Sequence, residues 1–439
     1  MKKLLILAYD FPPYVSVGGL RPYSWYKYMH EFGIFPVVVT RQWANKYGNH
    51  LDYIAPGESN DVIIEESEKG IIIRAPYKPT LANRLMLRYG ENRFKFLRKI
   101  ITGWYEIVQW FLRVGSKYPI YKAANEFLEN NKVDCIIATG DPFILFRYAS
   151  ILSKKHNIPW IADYRDPWAQ DTNNSYFIRK IFLYLERKIV SRASRITTVS
   201  QFLINLIKSN LKNQNFKIVY NGYDSFSLPT NYPNQPSNKV LTIAYAGTIY
   251  HWHPWKQFLS VINSFSQKEH FPIFLKFYGI NNEKELNEYF KNFQNNYLTL
   301  EVFPKKSNTE LLKELVLTDI LLLFNDYYII GTKIFDYLAV RKKILFCFSN
   351  DTESLLLKEK FYHLPDSVNN DYPQIQLINQ TNSGLVASNQ QHLFELLKEI
   401  KTEFNQSGKI VCHSQGYEFY SRKNQTKILA ELIKELTDE

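Results

Sequence analysis

Short, unbroken apolar runs recur along this chain, and segments of helical period fill the gaps between them. The runs are KLLILAY (3–9), FPVVVT (35–40), DCIIATG (134–140), PWIADYR (159–165), RITTVS (195–200) and KIVYNG (217–222), then LTIAYAG (241–247), FPIFLKFYG (271–279), YLTLEVF (297–303), DILLLFN (319–325) and KILFCFSN (343–350). Most are continuously apolar rather than alternating, which is the pattern of parallel strands covered by helices on both faces. Residues 142–156, 176–194 and 254–266 carry the helical period between them. Repeated strand–helix units predict a doubly wound α/β architecture.

The pattern pauses once. DSFSLPTNYPNQPSNK (224–239) is rich in Pro, Asn and Ser and has no periodicity, so it reads as a linker. A chain of 439 residues is too long for one ordinary core, and the pause leaves enough on each side for one α/β domain. The predicted division is an N-terminal Rossmann-like domain over 1–225, a linker over 226–239, a C-terminal Rossmann-like domain over 240–414 and a helical tail over 415–439 that packs back on the first domain. Open parallel sheets hold ligands at the carboxyl ends of their strands, so the loops that follow the strands are the places to search.

Lys plus Arg total 54 against 42 Asp plus Glu, a net charge of +12, which favours anionic partners. Cys135, Cys347 and Cys412 are odd in number and far apart. They offer no disulfide framework or zinc spacing, so a reducing compartment is expected. The opening MKKLLILAYDFPPY imitates a signal peptide, but its apolar run is short and meets Asp10 and two prolines; it reads as a buried first strand. No run approaches the roughly 20 apolar residues of a membrane span.

Five segments carry candidate chemistry. Gly18 and Gly19 precede a helix just after the first strand; backbone N–H groups and a helix N-terminus there suit a diphosphate, although the G-x-G-x-x-G fingerprint is absent, which argues against a nicotinamide dinucleotide enzyme. Gly247 and Thr248 follow a strand in the same way, and Lys256 in the next helix can neutralise a phosphate. His251 and His253 have no carboxylate or cysteine at a familiar metal spacing. In GTKIFDYLAVRKKIL (331–345), Gly331 and Thr332 open a helix on which Lys333 and Asp336 are neighbours. The pair is expected to face a ribose phosphate, the aspartate accepting from vicinal hydroxyls. In IADYRDPWAQD (161–171), Asp163, Arg165 and Asp166 stand at the rim of the first domain, read either as a structural pair or as catalytic, acceptor-side residues. Residues 81–122 mix Arg84, Arg88, Arg93, Lys95, Arg98 and Lys99 with Phe94, Phe96, Trp104, Trp110 and other large apolar residues. That mixture suits an interfacial helix on anionic lipid, nucleic acid, or a helical insertion with a solvated basic side.

Taken in order, YDFPPYVSVGGLRPYSWYKYMHEFG, GDPFILFRYASILSKKHNIPWIADYRDPW, ERKIVSRASRITTVS, VYNGYD, AYAGTIY, GTKIFDYLAVRKKIL and YSRKNQTKILAEL resemble glycosyltransferase family four over nearly the whole chain. The resemblance implies the GT-B fold, two Rossmann-like domains facing each other across a cleft. It implies a retaining, metal-independent hexosyltransferase that uses a UDP- or GDP-linked sugar as co-substrate and no cofactor. The family's ribose-binding glutamate falls on Asp336, its diphosphate-side glycine and following backbone on Gly331 and Thr332, and its early glycine loop on Gly18 and Gly19. The basic pair after the first strand of the second domain falls on Thr248 and Lys256, so only the lysine is kept. Gly279 falls beside the nucleobase. The catalytic polar residue of the first domain falls in DYRDPW, on Asp166, with Asp163 and Arg165 on the acceptor side; Lys256 and Lys333 join Asp166 as catalytic groups. Tyr328 replaces the first acid of the family's paired-glutamate motif, and Asp326 is close by. The expected partners are a nucleotide-diphospho-sugar, a glycan or lipid-linked acceptor and an anionic membrane surface, without nucleic acid. The expected location is the cytoplasm, at the inner face of the membrane, in cell-surface polysaccharide biosynthesis. Two other readings are a non-catalytic GT-B-like partner subunit and a GT-B epimerase or phosphorylase.

Overall fold

The computed structural model describes residues 1–44, 50–170, 176–212, 214–225, 239–359 and 372–438. Residues 226–238 of the expected linker and Asp171 lie outside them. The chain divides into two compact units, Met1–Tyr220 with Gln425–Glu439, and Asn221–Asn424.

The first unit is built on β1 (Lys2–Leu7), β2 (Ile34–Arg41), β3 (Ile63–Ser67), β4 (Gly70–Ala75), β5 (Cys135–Gly140), β6 (Trp160–Tyr164), β7 (Arg195–Thr198) and β8 (Phe216–Ile218). Their order across the sheet is β3-β4-β2-β1-β5-β6-β7-β8, and only β3 runs antiparallel to its neighbour. Both faces are buried, which explains the unbroken runs. Leu5, Leu7, Val37 and Val39 face one core, while Leu4, Ile6 and Val38 face the other. The last helix, Arg422–Asp438, covers this second face with Leu429, Leu432, Ile433 and Leu436. Burial of such side chains stabilises by roughly 1.5–3 kcal/mol each.

The second unit carries β9 (Leu241–Ala246), β10 (Ile273–Tyr278), β11 (Leu298–Phe303), β12 (Ile320–Phe324), β13 (Lys343–Cys347) and β14 (Gly384–Ala387), all parallel, in the order β11-β10-β9-β12-β13-β14. In each unit the winding reverses beside the first strand. The reversal lies between β1 and β5 in the first unit and between β9 and β12 in the second. Loops diverge on either side of such a point and open a crevice at the strand ends.

Candidate functional site

At the β1/β5 crevice, the chain leaves β1 through Asp10 and enters the helix Val17–Tyr28 at Ser16. Ser16 caps that helix: its Oγ accepts from the Gly19 N–H at 3.2 Å and donates to Asp10 Oδ2 at 2.5 Å. The helix is held in place from within. Arg21 donates to Asp163 Oδ1 at 2.6 Å and to the Val219 carbonyl at 2.6 Å. Asp163 also accepts from Thr139 at 2.9 Å and from Thr197 at 2.7 Å, tying β5, β6 and β7 to one carboxylate.

Asp163 is therefore a correction to the sequence reading. It is fully buried and its oxygens are taken by protein donors, so it anchors the scaffold and is not free for an acceptor. Arg165 does reach the crevice. Its guanidinium donates to the carbonyls of Gly140 at 2.7 Å and Asp141 at 3.1 Å. A Cβ on Gly18 would lie 2.5 Å from Arg165 Nη1 and 2.8 Å from Asp10 Oδ2, so only glycine lets these two groups approach the loop. Gly19, by contrast, has only ordinary contacts around it, and its N–H is spent on the cap. Asp166 is exposed, and its charge acts on Asp141.

The carboxylates here are perturbed. Burial pushes the Asp10 carboxyl up, against the hydrogen bond from Ser16 and the charges of Arg165 and Arg41. Burial does the same to Asp141, against Lys117 and Arg165. Asp10 Oδ1 is buried without a hydrogen-bond partner among the described residues. An orphaned acceptor of this kind costs free energy unless a ligand donor meets it. Sequence reasoning passed over Asp10; the signal was its place directly after the first strand.

The β9/β12 crevice is different in character. Gly247 ends β9 at φ +93°, a left-handed conformation that favours glycine. Lys333, at the start of the helix Lys333–Val340, donates to the Tyr245 hydroxyl at 2.7 Å and lies 4.0 Å from the centre of that ring. Its Cε lies 3.4 Å from where a Gly247 Cβ would be. Tyr337 fixes the same helix by accepting from the Ala246 N–H at 3.0 Å. Burial pushes the Lys333 ammonium down to about 8, opposed by the charge of Asp326.

Asp326 follows β12 and stands beside Gly331. It accepts from His253 Nε2 at 3.1 Å and from Trp252 Nε1 at 3.4 Å. The Tyr250 N–H donates to His253 Nδ1 at 3.2 Å, which assigns the imidazole proton to Nε2. Burial keeps His253 below its ordinary range, although Asp326 pulls it up. Burial alone would raise the Asp326 carboxyl, yet His253, Lys358 and Lys333 together hold it below its usual value. Lys358 lies 3.6 Å from the Trp252 ring centre, and burial pushes it to about 8. Tyr245, His253 and Lys358 complete a cluster that sequence reading did not assemble. His253 stood there as a loop or acceptor-side residue without a metal-ligand spacing, and Lys358 gave no signal.

The remaining expectations separate. Lys333 and Asp336 do not pair among the described residues: Lys333 turns toward Tyr245 and Asp326, and Asp336 accepts from Asn308 at 3.3 Å. Burial pushes the Asp336 carboxyl to about 6, opposed by Arg422 and Asn308. Thr248 accepts from the Tyr245 hydroxyl through its carbonyl at 2.6 Å. Gly279 ends β10 at φ +60°, and a Cβ there would lie 3.2 Å from Lys305 Cα. Tyr328 packs on Tyr372, ring centres 5.5 Å apart. Thr332 begins the helix without a side-chain cap. Lys256 is a second correction. It is half-exposed, paired with Glu285 at 2.7 Å, and 5.1 and 5.9 Å from the ring centres of Trp255 and Tyr289. Its position in the helix Trp255–Glu269 turns it to Glu285 in the helix Glu283–Phe290.

Residues 23–225 match the family model described as Glycosyltransferase Family 4. No curated protein matches the sequence. Among solved structures, sucrose-phosphate synthase from Thermosynechococcus elongatus aligns with 100% of this chain and 100% of its own at TM-score 0.62 and 12% identity. A glycosyltransferase from Rickettsia africae aligns over 99% and 98% at TM-score 0.56 and 14% identity. A trehalose-6-phosphate protein from E. coli, bound with UDP-2-fluoro glucose, aligns over 100% and 97% at TM-score 0.54 and 10% identity. The fold is thus GT-B, built from two Rossmann-like domains. The similarity to glycosyltransferase family 4 spans residues 23–225.

Proposed function

We propose that the protein is a retaining glycosyltransferase that moves a hexose from a UDP- or GDP-linked sugar to a glycan or lipid-linked acceptor, in cell-surface polysaccharide assembly and without a metal. The observation that carries this reading is Lys333, a half-buried cation at the β9/β12 crevice between Gly247 and Asp326. A diphosphate seated there meets an ammonium already desolvated and oriented, which favours an anion strongly. The UDP-sugar bound by the E. coli neighbour is the ligand class this suggests.

In this reading the second unit holds the donor. Lys333 takes the diphosphate with Gly331 and Thr332 beside it, Asp336 takes the ribose hydroxyls, and Gly279 borders the base. Asp326, oriented by His253, accepts from hydroxyls of the transferred sugar. The first unit holds the acceptor, with Asp10, Arg165 and Asp166 around its hydroxyl. As the bond from the anomeric carbon to the diphosphate breaks, negative charge grows on the departing phosphate and Lys333 stabilises it. The acceptor oxygen bonds to the same carbon, and its proton passes to the departing phosphate.

A thermal-shift screen over UDP- and GDP-sugars tests this, because a ligand that binds only the folded protein raises its melting temperature. At least one nucleotide sugar should stabilise the wild type and lose that effect in Lys333→Ala. Stabilisation by none would overturn the donor assignment.

A further inference from the structure

The helix Lys95–Val108 buries none of its residues. Phe96, Leu97, Ile100, Trp104 and Ile107 recur at spacings that share one face, and all are exposed, Phe96 at 79% and Trp104 at 54%. Phe111 and Leu112 extend the exposed apolar surface past the helix end. The preceding helix, Leu81–Tyr89, packs beside it and exposes Leu81, Leu87 and Tyr89. The chain does not leave such a surface bare for its own stability; contiguous exposed apolar surface marks an interaction site.

The charges on and between these helices say what it meets. Arg84, Arg88, Arg93, Lys95, Arg98 and Lys99 accompany the stripe, against Glu91 and Glu106. Glu106 is taken up by Lys117 at 3.1 Å and by Gln109 at 2.5 Å. The local field is therefore positive, on a chain of net charge +12. A second copy would bring like charges together, which opposes association. An anionic surface with a hydrocarbon interior satisfies both the cations and the stripe. Among the described residues no helix is long and apolar enough to cross a membrane, so contact is with one leaflet.

We infer that the Lys95–Val108 helix docks this protein on the surface of an anionic bilayer, inserting Phe96, Ile100 and Trp104 between headgroups while the neighbouring cations meet lipid phosphates. This goes beyond the transfer reaction and does not depend on it.

The test uses the full chain and vesicles of phosphatidylcholine and phosphatidylglycerol in equal parts. Wild type should float with them, and far less with phosphatidylcholine alone. Raising salt from roughly 0.1 to 1 M should weaken flotation without abolishing it, since screening removes attraction but not insertion. Phe96→Ser combined with Ile100→Ser should lower partitioning at least about tenfold, given what two large apolar side chains gain on burial. The melting temperature should be unchanged, because neither side chain is buried. Wild-type fluorescence should be quenched by brominated acyl chains, and Trp104→Phe should still float but lose that quenching. Any of three results would overturn the inference: no flotation, flotation unchanged in the double variant, or a dimer in solution that the double variant dissociates. Retention of nucleotide-sugar stabilisation in the double variant keeps this outcome separate from that of the donor assignment.

Discussion

The two crevices occupy equivalent places in their sheets and differ in the charge that burial perturbs. The β1/β5 crevice gathers Asp10, Asp141 and Asp166, with Arg165, Arg41 and Lys117 acting on the first two. The β9/β12 crevice gathers Lys333 and Lys358 around one aspartate, Asp326. Burial presses on both sets, raising the carboxyls of Asp10 and Asp141 and lowering the lysines. One topology thus offers acceptors for hydroxyl protons in one unit and donors for an anion in the other. Fold explains where the sites are, and the residues after each strand explain what each can hold.

The sharpest way to break this contrast is to remove its central cation. Lys333→Ala should lower turnover about 100- to 1000-fold, the scale of losing one preorganised group that stabilises transition-state charge, measured as nucleoside diphosphate release. Asp10→Asn should lower transfer roughly 10- to 100-fold, within the range of positioning and proton-handling groups, while nucleotide-sugar affinity stays the same. A loss of donor affinity in Asp10→Asn would erase the division of labour between the crevices.

The pH dependence sharpens it further. Lys333 must be protonated to attract a diphosphate, so donor affinity should fall as pH rises through about 8. Its contribution to stability has the opposite sign. The folded value lies below the ordinary 10.5, so the folded state holds fewer protons between about 8 and 10.5 and gains stability as pH rises across that window. Donor titrations from pH 7 to 9, read against melting temperatures, separate the two. The smallest effect is expected at Lys256. An exposed ion pair is worth about 0–1 kcal/mol, so Lys256→Ala should change both melting temperature and donor affinity little.

Much of this was legible before any coordinates. Parallel strands buried on both faces cannot avoid continuous apolar runs, so the doubly wound architecture was readable from them. The hairpin of β3 and β4 escaped because β3 is an edge strand with mostly exposed residues, IIEES, that show no apolar run. Strand β14 escaped because four residues, GLVA, are too few to stand out. At the sites, loops after strands pointed to Gly247, Gly331 and Lys333, because position in an open sheet already selects them. Which way a side chain turns was not readable. Lys256 faces Glu285 because of how two helices pack, and Asp163 faces inward because Arg21 arrives from 142 residues away. Lys358 reaches Trp252 across more than a hundred residues of chain, with no local pattern to announce it.

The most direct measurement is calorimetric titration of UDP and GDP into the full-length wild type and the Lys333→Ala and Lys256→Ala variants at pH 7. The account predicts that one nucleotide binds wild type and Lys256→Ala alike, and binds Lys333→Ala at least about tenfold more weakly, as expected for loss of a charge-assisted contact. Equal affinity in Lys333→Ala, or a loss confined to Lys256→Ala, would contradict it.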